Sequence, residues 1–203
     1  MDLGPVEIRV LGCLVEKQRT TPDAYPLSLN ALRLACNQAT NREPVLDLEE
    51  GDIRHSLERT TTRRLTRLAS RGRTVKYRHL LPETIGVEGP ALAVLAALML
   101  RGPQTAGELN ARSERMSPGL DVSDALRTLE EKGLAAVEPR QAGQKGVRYV
   151  QTLADEAGVQ EPGRRASERA APEQEAPPPR PDLEQRVEAL ERAVAELRAR
   201  LSA

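Results

Sequence analysis

The residues best suited to chemistry are nine basic side chains concentrated between positions 54 and 78. Glu58 is the only acid in this segment, so the segment carries a net charge of +8, whereas the whole chain of 203 residues sums to zero. Such a local field attracts phosphate, and arginine reads guanine edges and binds phosphates well. The pattern therefore predicts binding of double-stranded DNA. The side chains expected to contact it are Arg54, His55, Arg59, Arg63, Arg71, Arg73 and Lys76.

A solvated basic face is the alternative explanation for this segment. Its arginines could instead neutralise acids of the same chain, such as Asp47, Glu49, Glu50 and Asp52. The protein would then be an interaction scaffold rather than a DNA-binding protein. The two hypotheses differ in whether the arginines lie on one exposed face or are engaged by internal acids.

A polar run between positions 37 and 43 is a second candidate site. It could bind a ligand or a partner, and the side chains of interest are Asn37, Asn41, Arg42 and Glu43. The alternative is a hydrogen-bonded loop that connects two helices.

Signatures of catalysis and metal binding are missing from the sequence. It has no glycine-rich phosphate loop, no His-Glu-x-x-His and no Gly-x-Ser-x-Gly, so we expect no enzyme and no cofactor. Two cysteines and two histidines are too few for a usual zinc cluster. Cys13 and Cys36 fall on apolar faces and are interpreted as small core residues. A redox pair is the alternative, but nothing electropositive adjoins them in sequence.

The elements that must position the basic segment are short helices followed by a hairpin. Hydrophobic spacing and capping residues predict helices over Pro5–Gln18, after Ser28 and from about Glu49. Alternating residues up to Leu80 then predict a strand pair. Three helices followed by a hairpin is typical of the winged-helix fold, in which the third helix enters the major groove and the wing follows the phosphate backbone.

The same order recurs further along the chain. A helix is predicted over Gly89–Arg101, a capping box at Thr105, a helix capped by Asp121, and a second hairpin. We therefore expect a mainly α fold with small β-hairpins (α+β), with tandem winged-helix domains at 1–84 and 85–153. The third helix of the second domain exposes more acids than bases, so this domain is expected to pack against the first domain or a partner.

The C-terminal quarter predicts two further segments. Residues 154–181 have almost no large apolar side chains and predict a disordered linker. Residues 182–203 predict a coiled-coil helix that joins two chains into a homodimer. Its a and d positions are Leu183, Val187, Leu190, Val194, Leu197 and Leu201.

The longest apolar run, from Ala91 to Leu100, has ten residues, too few to cross a bilayer. The N-terminus has no signal-peptide pattern. We therefore expect a cytoplasmic protein that does not contact a membrane.

Several strings of residues resemble the YceH family of uncharacterised bacterial proteins, across residues 1–153. The strings are Leu11-Gly12-Cys13-Leu14-Val15-Glu16-Lys17-Gln18, Tyr25-Pro26-Leu27-Ser28-Leu29-Asn30, Thr40-Asn41-Arg42-Glu43-Pro44-Val45, Lys76-Tyr77-Arg78-His79 and Arg101-Gly102-Pro103-Gln104-Thr105. The resemblance implies tandem winged-helix domains and carries no established activity. One departure is Thr60-Thr61-Thr62, where that family usually has Leu or Val. Threonine is a poor helix former, so we expect weak packing or an early helix end there.

The heptad pattern predicts self-association through residues 182–202. Full-length protein should sediment as a dimer at tens of micromolar, whereas a chain truncated at Pro181 should sediment as a monomer. The dimer should be of modest stability, because three heptads bury little surface and a helix of this length is marginal alone. If both proteins sediment as monomers, the helix instead folds back on its own chain.

Overall fold

The chain is mainly helical, with two small three-stranded antiparallel sheets. A computed structural model describes residues 1–69, 74–139 and 146–154. The predicted positions Arg71 and Arg73, the linker beyond Ala154 and the coiled-coil residues Leu183 to Leu201 lie outside these ranges. The helices are α1 (Pro5–Thr20), α2 (Leu29–Cys36), α3 (Glu50–Thr62), α4 (Leu81–Ile85), α5 (Gly89–Arg101), α6 (Ala106–Ser113) and α7 (Val122–Glu131). The strands are β1 (Leu27–Ser28), β2 (Thr66–Leu68), β3 (Lys76–His79), β4 (Gln104–Thr105), β5 (Ala135–Val137) and β6 (Arg148–Gln151).

The first half of the chain contains α1 to α4 and the sheet β1-β3-β2. The hydroxyl of Ser28 accepts the N–H of Ala31 at 3.3 Å and starts α2, as its sequence position predicts. Strand β1 was not predicted, because two residues cannot show an alternating pattern. It pairs Leu27 with Tyr77 and turns the predicted hairpin into a three-stranded sheet.

The second half repeats this order with α5 to α7 and the sheet β4-β6-β5. The predicted caps are confirmed. Thr105 and Glu108 form a reciprocal capping box, and Asp121 accepts two backbone N–H groups of α7. Tyr149 occupies the middle-strand position that corresponds to Tyr77, since each pairs with both neighbouring strands of its sheet.

Helix α5 is the centre of the hydrophobic core. Its ten residues from Ala91 to Leu100 are all buried, and they contact α1, α6, α7 and β6. The core around α5 includes residues of both halves, from Leu3 to Leu153. At the edge of this core, Leu3 and Ala154 form a parallel bridge.

Helix α1 is buried on two sides. Leu11 and Val15 belong to the core around α5, whereas Val10 and Leu14 belong to a second cluster with α2 and α3. Helix α1 therefore connects α3, which carries many of the predicted DNA-binding residues, to the centre of the molecule.

The three threonines do not end α3 early, because the helix continues to Thr62. Thr60 is fully buried, but its hydroxyl is satisfied: it lies 2.9 Å from the carbonyl of Ser56 and 2.9 Å from the hydroxyl of Thr66. The hydroxyl of Thr61 also reaches Thr66, at 3.0 Å. A buried hydroxyl is costly only when it lacks a partner, so this cluster joins α3 to β2 without that penalty.

In the part of the chain that the structure describes, no helix is long and apolar enough to cross a membrane.

Helices α1 and α5 pack closely at Gly12, and this packing predicts the effect of replacing that glycine. A Cβ at Gly12 would lie 3.0 Å from two side-chain atoms of Leu100 and 3.2 Å from the Cβ of Met99. We expect Gly12→Ala to lower the free energy of unfolding by about 1–2 kcal/mol, because the overpacking outweighs the better helix propensity of alanine.

Gly107→Ala is the matched control, because a Cβ there meets no described atom within 4 Å. It should be neutral or stabilise the protein by up to about 1 kcal/mol in urea unfolding. Equal effects of the two substitutions would show that the two helices are not closely packed at Gly12.

Candidate nucleic-acid interface

Helix α3 presents a polar face whose charge differs between its ends. Ile53, Leu57 and Thr60 point inward, which leaves Arg54 and His55 exposed. The acids Glu49, Glu50 and Asp52 occupy the N-terminal turn, where they suit the helix dipole, and the N–H of Glu49 donates to Asp52 at 2.9 Å. Positive charge therefore begins after this acidic turn, at Arg54, and continues beyond the end of α3 at Arg63 and Arg64.

Arg59 is engaged by an acid of the same chain. Its Nε lies 3.2 Å from Oε1 of Glu7, a residue of α1 that is itself 3% exposed. Glu7 also accepts the N–H of Gly4 at 2.7 Å at the start of α1. Arg59 is therefore neutralised by an acid of its own chain, as the explanation of a solvated basic face requires.

Four other arginines of this region are exposed. Arg54, Arg63, Arg64 and Arg67 have no carboxylate within ion-pair distance among the residues that the structure describes. Arg63 donates to the carbonyl of Asp2 at 2.6 Å, which orients it without neutralising it. Sequence reasoning named Arg54 and Arg63 but passed over Arg64 and Arg67, although both belong to the same basic segment.

The sheet of the first half extends this positive charge. Arg67 on β2 lies directly opposite Arg78 on β3, and Lys76 is on the same face two residues earlier. Like charges in this position destabilise a sheet, and Glu83 relieves part of the repulsion by contacting Arg78 at 2.9 Å. The basic surface is defined here as Arg54, Arg63, Arg64, Arg67 and Lys76.

On α7, the helix of the second half that corresponds to α3, the exposed arginine is neutralised by acids of the same helix. Arg127 on α7 contacts Asp124 and, at 3.4 Å, Glu131. Glu130 is a further exposed acid of this helix. The two halves therefore share an order of elements but differ in surface charge.

The polar loop after α2 is held by hydrogen bonds. The side-chain amide of Asn37 donates to the carbonyl of Leu48 at 2.8 Å and accepts its N–H at 2.9 Å. The N–H of Glu43 donates to the carbonyl of Leu100 at 2.9 Å, and Asn41 accepts from Arg101 at 2.5 Å. The contacts of Glu43 and Asn41 connect the loop to α5.

Arg42 is the most constrained residue of this loop. Its side chain is fully buried, and its guanidinium donates to both carboxylate oxygens of Glu16, at 2.6 and 3.3 Å. It also donates to the carbonyl of Ala35 at 3.0 Å and to the side chain of Gln38 at 2.8 Å. A guanidinium with its donors occupied in this way positions the loop and is not available to a ligand.

Cys13 and Cys36 are buried free thiols in the core of the first half. The expectation that nothing electropositive adjoins them is wrong, because Arg9 donates to the carbonyl of Cys36 at 3.0 Å and Arg42 to that of Ala35. A hydrogen bond with Cys13, together with burial, raises the pKa of the Cys36 thiol well above its usual range. The signal was present in the sequence, since Arg9 precedes Cys13 by one helical turn.

Within the described ranges, no group of three or more His, Cys, Asp or Glu side chains could hold a metal ion. His79, the last residue of β3, is buried. Its Nδ1 accepts the N–H of Leu81 at 3.3 Å, so Nε2 donates to Gln18 at 2.6 Å. The hydrogen bond from this neutral imidazole to Gln18 joins the sheet to α1.

Comparison with known proteins yields one family. The family model described as "Protein of unknown function, DUF480" matches residues 3–144. A UPF0502 protein from Geotalea uraniireducens (strain Rf4) is 47% identical over 209 residues, covering 100% of this chain and 90% of the relative. A UPF0502 protein from Xanthomonas axonopodis pv. citri (strain 306) is 43% identical over 204 residues, covering 99% of this chain and 91% of the relative.

The buried histidine predicts a pH dependence of stability. Burial lowers the pKa of His79 from 6.5 to about 4. Between these values the unfolded chain binds a proton that the folded chain does not, so the free energy of unfolding falls as the pH falls from about 6.5 to 4. The full effect should be about 3 kcal/mol.

Urea unfolding at pH 7 and pH 4 would measure this dependence. His79→Gln should remove this part of it, whereas His55→Gln should retain it, because His55 is exposed. An unchanged pH dependence in His79→Gln would contradict the assignment.

Proposed function

We propose that this chain, which belongs to the DUF480 family of proteins of unknown function, binds duplex DNA through the basic surface. The observation that carries the proposal is the difference between the two halves. The arginines of the basic surface are exposed and have no carboxylate partner among the described residues, whereas Arg127 on the corresponding helix is held by Asp124 and Glu131. A surface of uncompensated arginines is the usual electrostatic footprint of nucleic-acid binding.

Each half is proposed to be a winged-helix module. The order of helix, short strand, two helices and two strands supports this, as does the third strand that completes each sheet. The resemblance to the YceH family points the same way. In such a module α3 and the β2–β3 hairpin face the DNA.

The charges of α3 favour phosphate contacts over base reading. Its N-terminal turn, which would contact base edges in a helix-turn-helix protein, carries Glu49, Glu50 and Asp52, and these acids repel phosphate. The DNA should instead meet α3 at Arg54, the residues just after α3, and strand β2. Arg71 and Arg73, which lie between β2 and β3 in the sequence, are proposed to add contacts. Arg59 is paired with Glu7 and is not expected to contact the DNA.

The proposed assembly is a homodimer joined through the C-terminal helix, so that two basic surfaces could engage two half-sites. Linking two weak sites raises the overall affinity through effective concentration. A DNA-binding role places the protein in the bacterial cytoplasm and needs no catalytic residue, metal or cofactor.

The scaffold hypothesis is the second candidate, and two observations favour it. Glu7 neutralises Arg59, and apolar side chains are about half exposed on both hairpins. These are Leu68, Val75, Val137 and Val147, at 48–58% exposure. An adaptor would use such side chains to contact a protein partner, and it would not bind DNA.

The proposal predicts a steep salt dependence of DNA binding. If about six cations meet phosphates, the slope of log affinity against log salt for full-length protein on duplex DNA should be about −5. Arg54→Gln combined with Arg67→Gln should reduce the slope by about 2, because each lost phosphate contact reduces it by about 1. Fluorescence anisotropy with a labelled duplex would measure both values.

Arg127→Gln is the matched control, since it removes an exposed arginine from α7 and should leave the slope unchanged. Absence of binding at low salt, or an unchanged slope in the double variant, would reject the DNA-binding proposal and favour the scaffold.

A further inference from the structure

A cavity of about 160 Å³ lies where the first half of the chain meets the second. Three arginines line it: Arg101 at the end of α5, Arg112 on α6 and Arg115 just after α6. Apolar side chains of α5, among them Leu100, form part of its wall. Charges that face one another beside apolar surface interact more strongly than they do in open water.

The charges around this cavity are unbalanced. Glu16 is the only carboxylate among its lining residues, and both of its oxygens already accept from Arg42. Outside the lining, Glu108 lies 3.4 Å from Arg112, and Glu43 is close enough to favour the charged form of Arg101. The lining itself therefore has three guanidinium groups and one carboxylate, which Arg42 already engages.

Two of the three arginines are held in place by neutral partners. Arg101 donates to the side-chain oxygen of Asn41 at 2.5 Å, and Arg112 donates to that of Gln104 at 2.6 Å. Since Asn41 accepts through its oxygen, its amide N–H groups remain as donors. These neutral partners orient both guanidinium groups. Among the described residues Arg101 has no ion pair, whereas Arg112 also contacts Glu108 at 3.4 Å. Donors oriented in this way bind an oxyanion with little reorganisation. The pKa of Arg101 is lowered by burial and by the nearby charges of Arg112 and Arg42.

We propose that this cavity binds a small phosphate-type oxyanion, such as the phosphate group of a low-molecular-weight metabolite. Arg101, Arg112 and Arg115 supply the charged donors, and the Asn41 amide supplies a neutral one. The volume corresponds to roughly ten water-sized spheres, which suits a phosphate with a small substituent and not a duplex. The inference does not depend on DNA binding. The cavity lies between the loop after α2 and helices α5 and α6, so a bound anion should stabilise the packing of the two halves.

Calorimetric titration of the full-length protein with inorganic phosphate, at ionic strength held constant with sodium chloride, tests the proposal. We expect saturable binding by the unsubstituted protein. Arg115→Gln should weaken it at least about tenfold, because a charge-assisted hydrogen bond is lost. In the described ranges Arg115 makes no hydrogen bond or ion pair, so this variant should fold normally. Arg101→Gln should have a similar effect, and the double variant should show no saturable binding.

The control is Arg127→Gln, which removes an arginine outside the cavity and should leave phosphate affinity within about twofold. The proposal is overturned if the unsubstituted protein shows no saturable phosphate binding, or if the double variant binds as tightly as the unsubstituted protein.

A DNA titration of the Arg101→Gln/Arg115→Gln variant separates a small ligand from a duplex as the source of the phosphate. Unchanged DNA affinity with lost phosphate binding supports a small ligand. Lost DNA affinity, in a protein that binds no free phosphate, assigns these arginines to the DNA backbone and rejects the proposal. If no form of the protein binds DNA, the phosphate titration still decides the question.

Discussion

The complete burial of α5 is the constraint on which the rest of the structure depends. Its large apolar residues are Leu92, Val94, Leu95, Leu98, Met99 and Leu100. Each such side chain gains about 1.5–3 kcal/mol on burial, so their gross contribution is comparable to the net stability of a whole domain. The surrounding helices must therefore cover α5, and α1 does so closely enough that a Cβ at position 12 would crowd Leu100. Charged side chains are therefore confined to the ends of α5, as with Arg101, and to the elements outside it.

The engagement of acidic side chains within the framework explains how a chain of zero net charge acquires a basic surface. Several acids of the first half hold the framework: Glu7 starts α1, Asp52 caps α3, and Glu16 anchors the buried Arg42. Of the predicted DNA-binding arginines in the described residues, only Arg59 is neutralised by such an acid. Arg54 and Arg63 have no such acid within ion-pair distance among the described residues, so their charge faces solvent.

Local signals in the sequence were sufficient for much of the fold. Ser28, Thr105 and Asp121 cap helices through contacts within three residues, and α5 begins and ends where its apolar run predicts. Strands β1 and β4 could not be predicted, because two residues carry no periodicity and their pairing depends on distant partners. The same reason applies to the site. The exposed arginines follow from composition, whereas the Arg59–Glu7 pair joins residues 52 positions apart. The arginine-lined cavity is assembled from α1, α5, α6 and a loop, so no single stretch of sequence could indicate it.

The two groups of arginines are suited to different ligands because their surroundings differ. Arg54 and Arg67 lie in water, where each charge interacts weakly and is screened by salt, so useful affinity requires many of them and a polyanion. Arg101 and Arg112 are half-buried, are held by Asn41 and Gln104, and line one cavity. The small anion proposed for this cavity would contact several guanidinium groups at once. The buried pair of Glu16 and Arg42 is weak evidence of stability in itself, since its desolvation offsets its attraction. Its structural consequence is more specific: it fixes the loop that places Asn41 beside Arg101, and so it determines the geometry of the cavity.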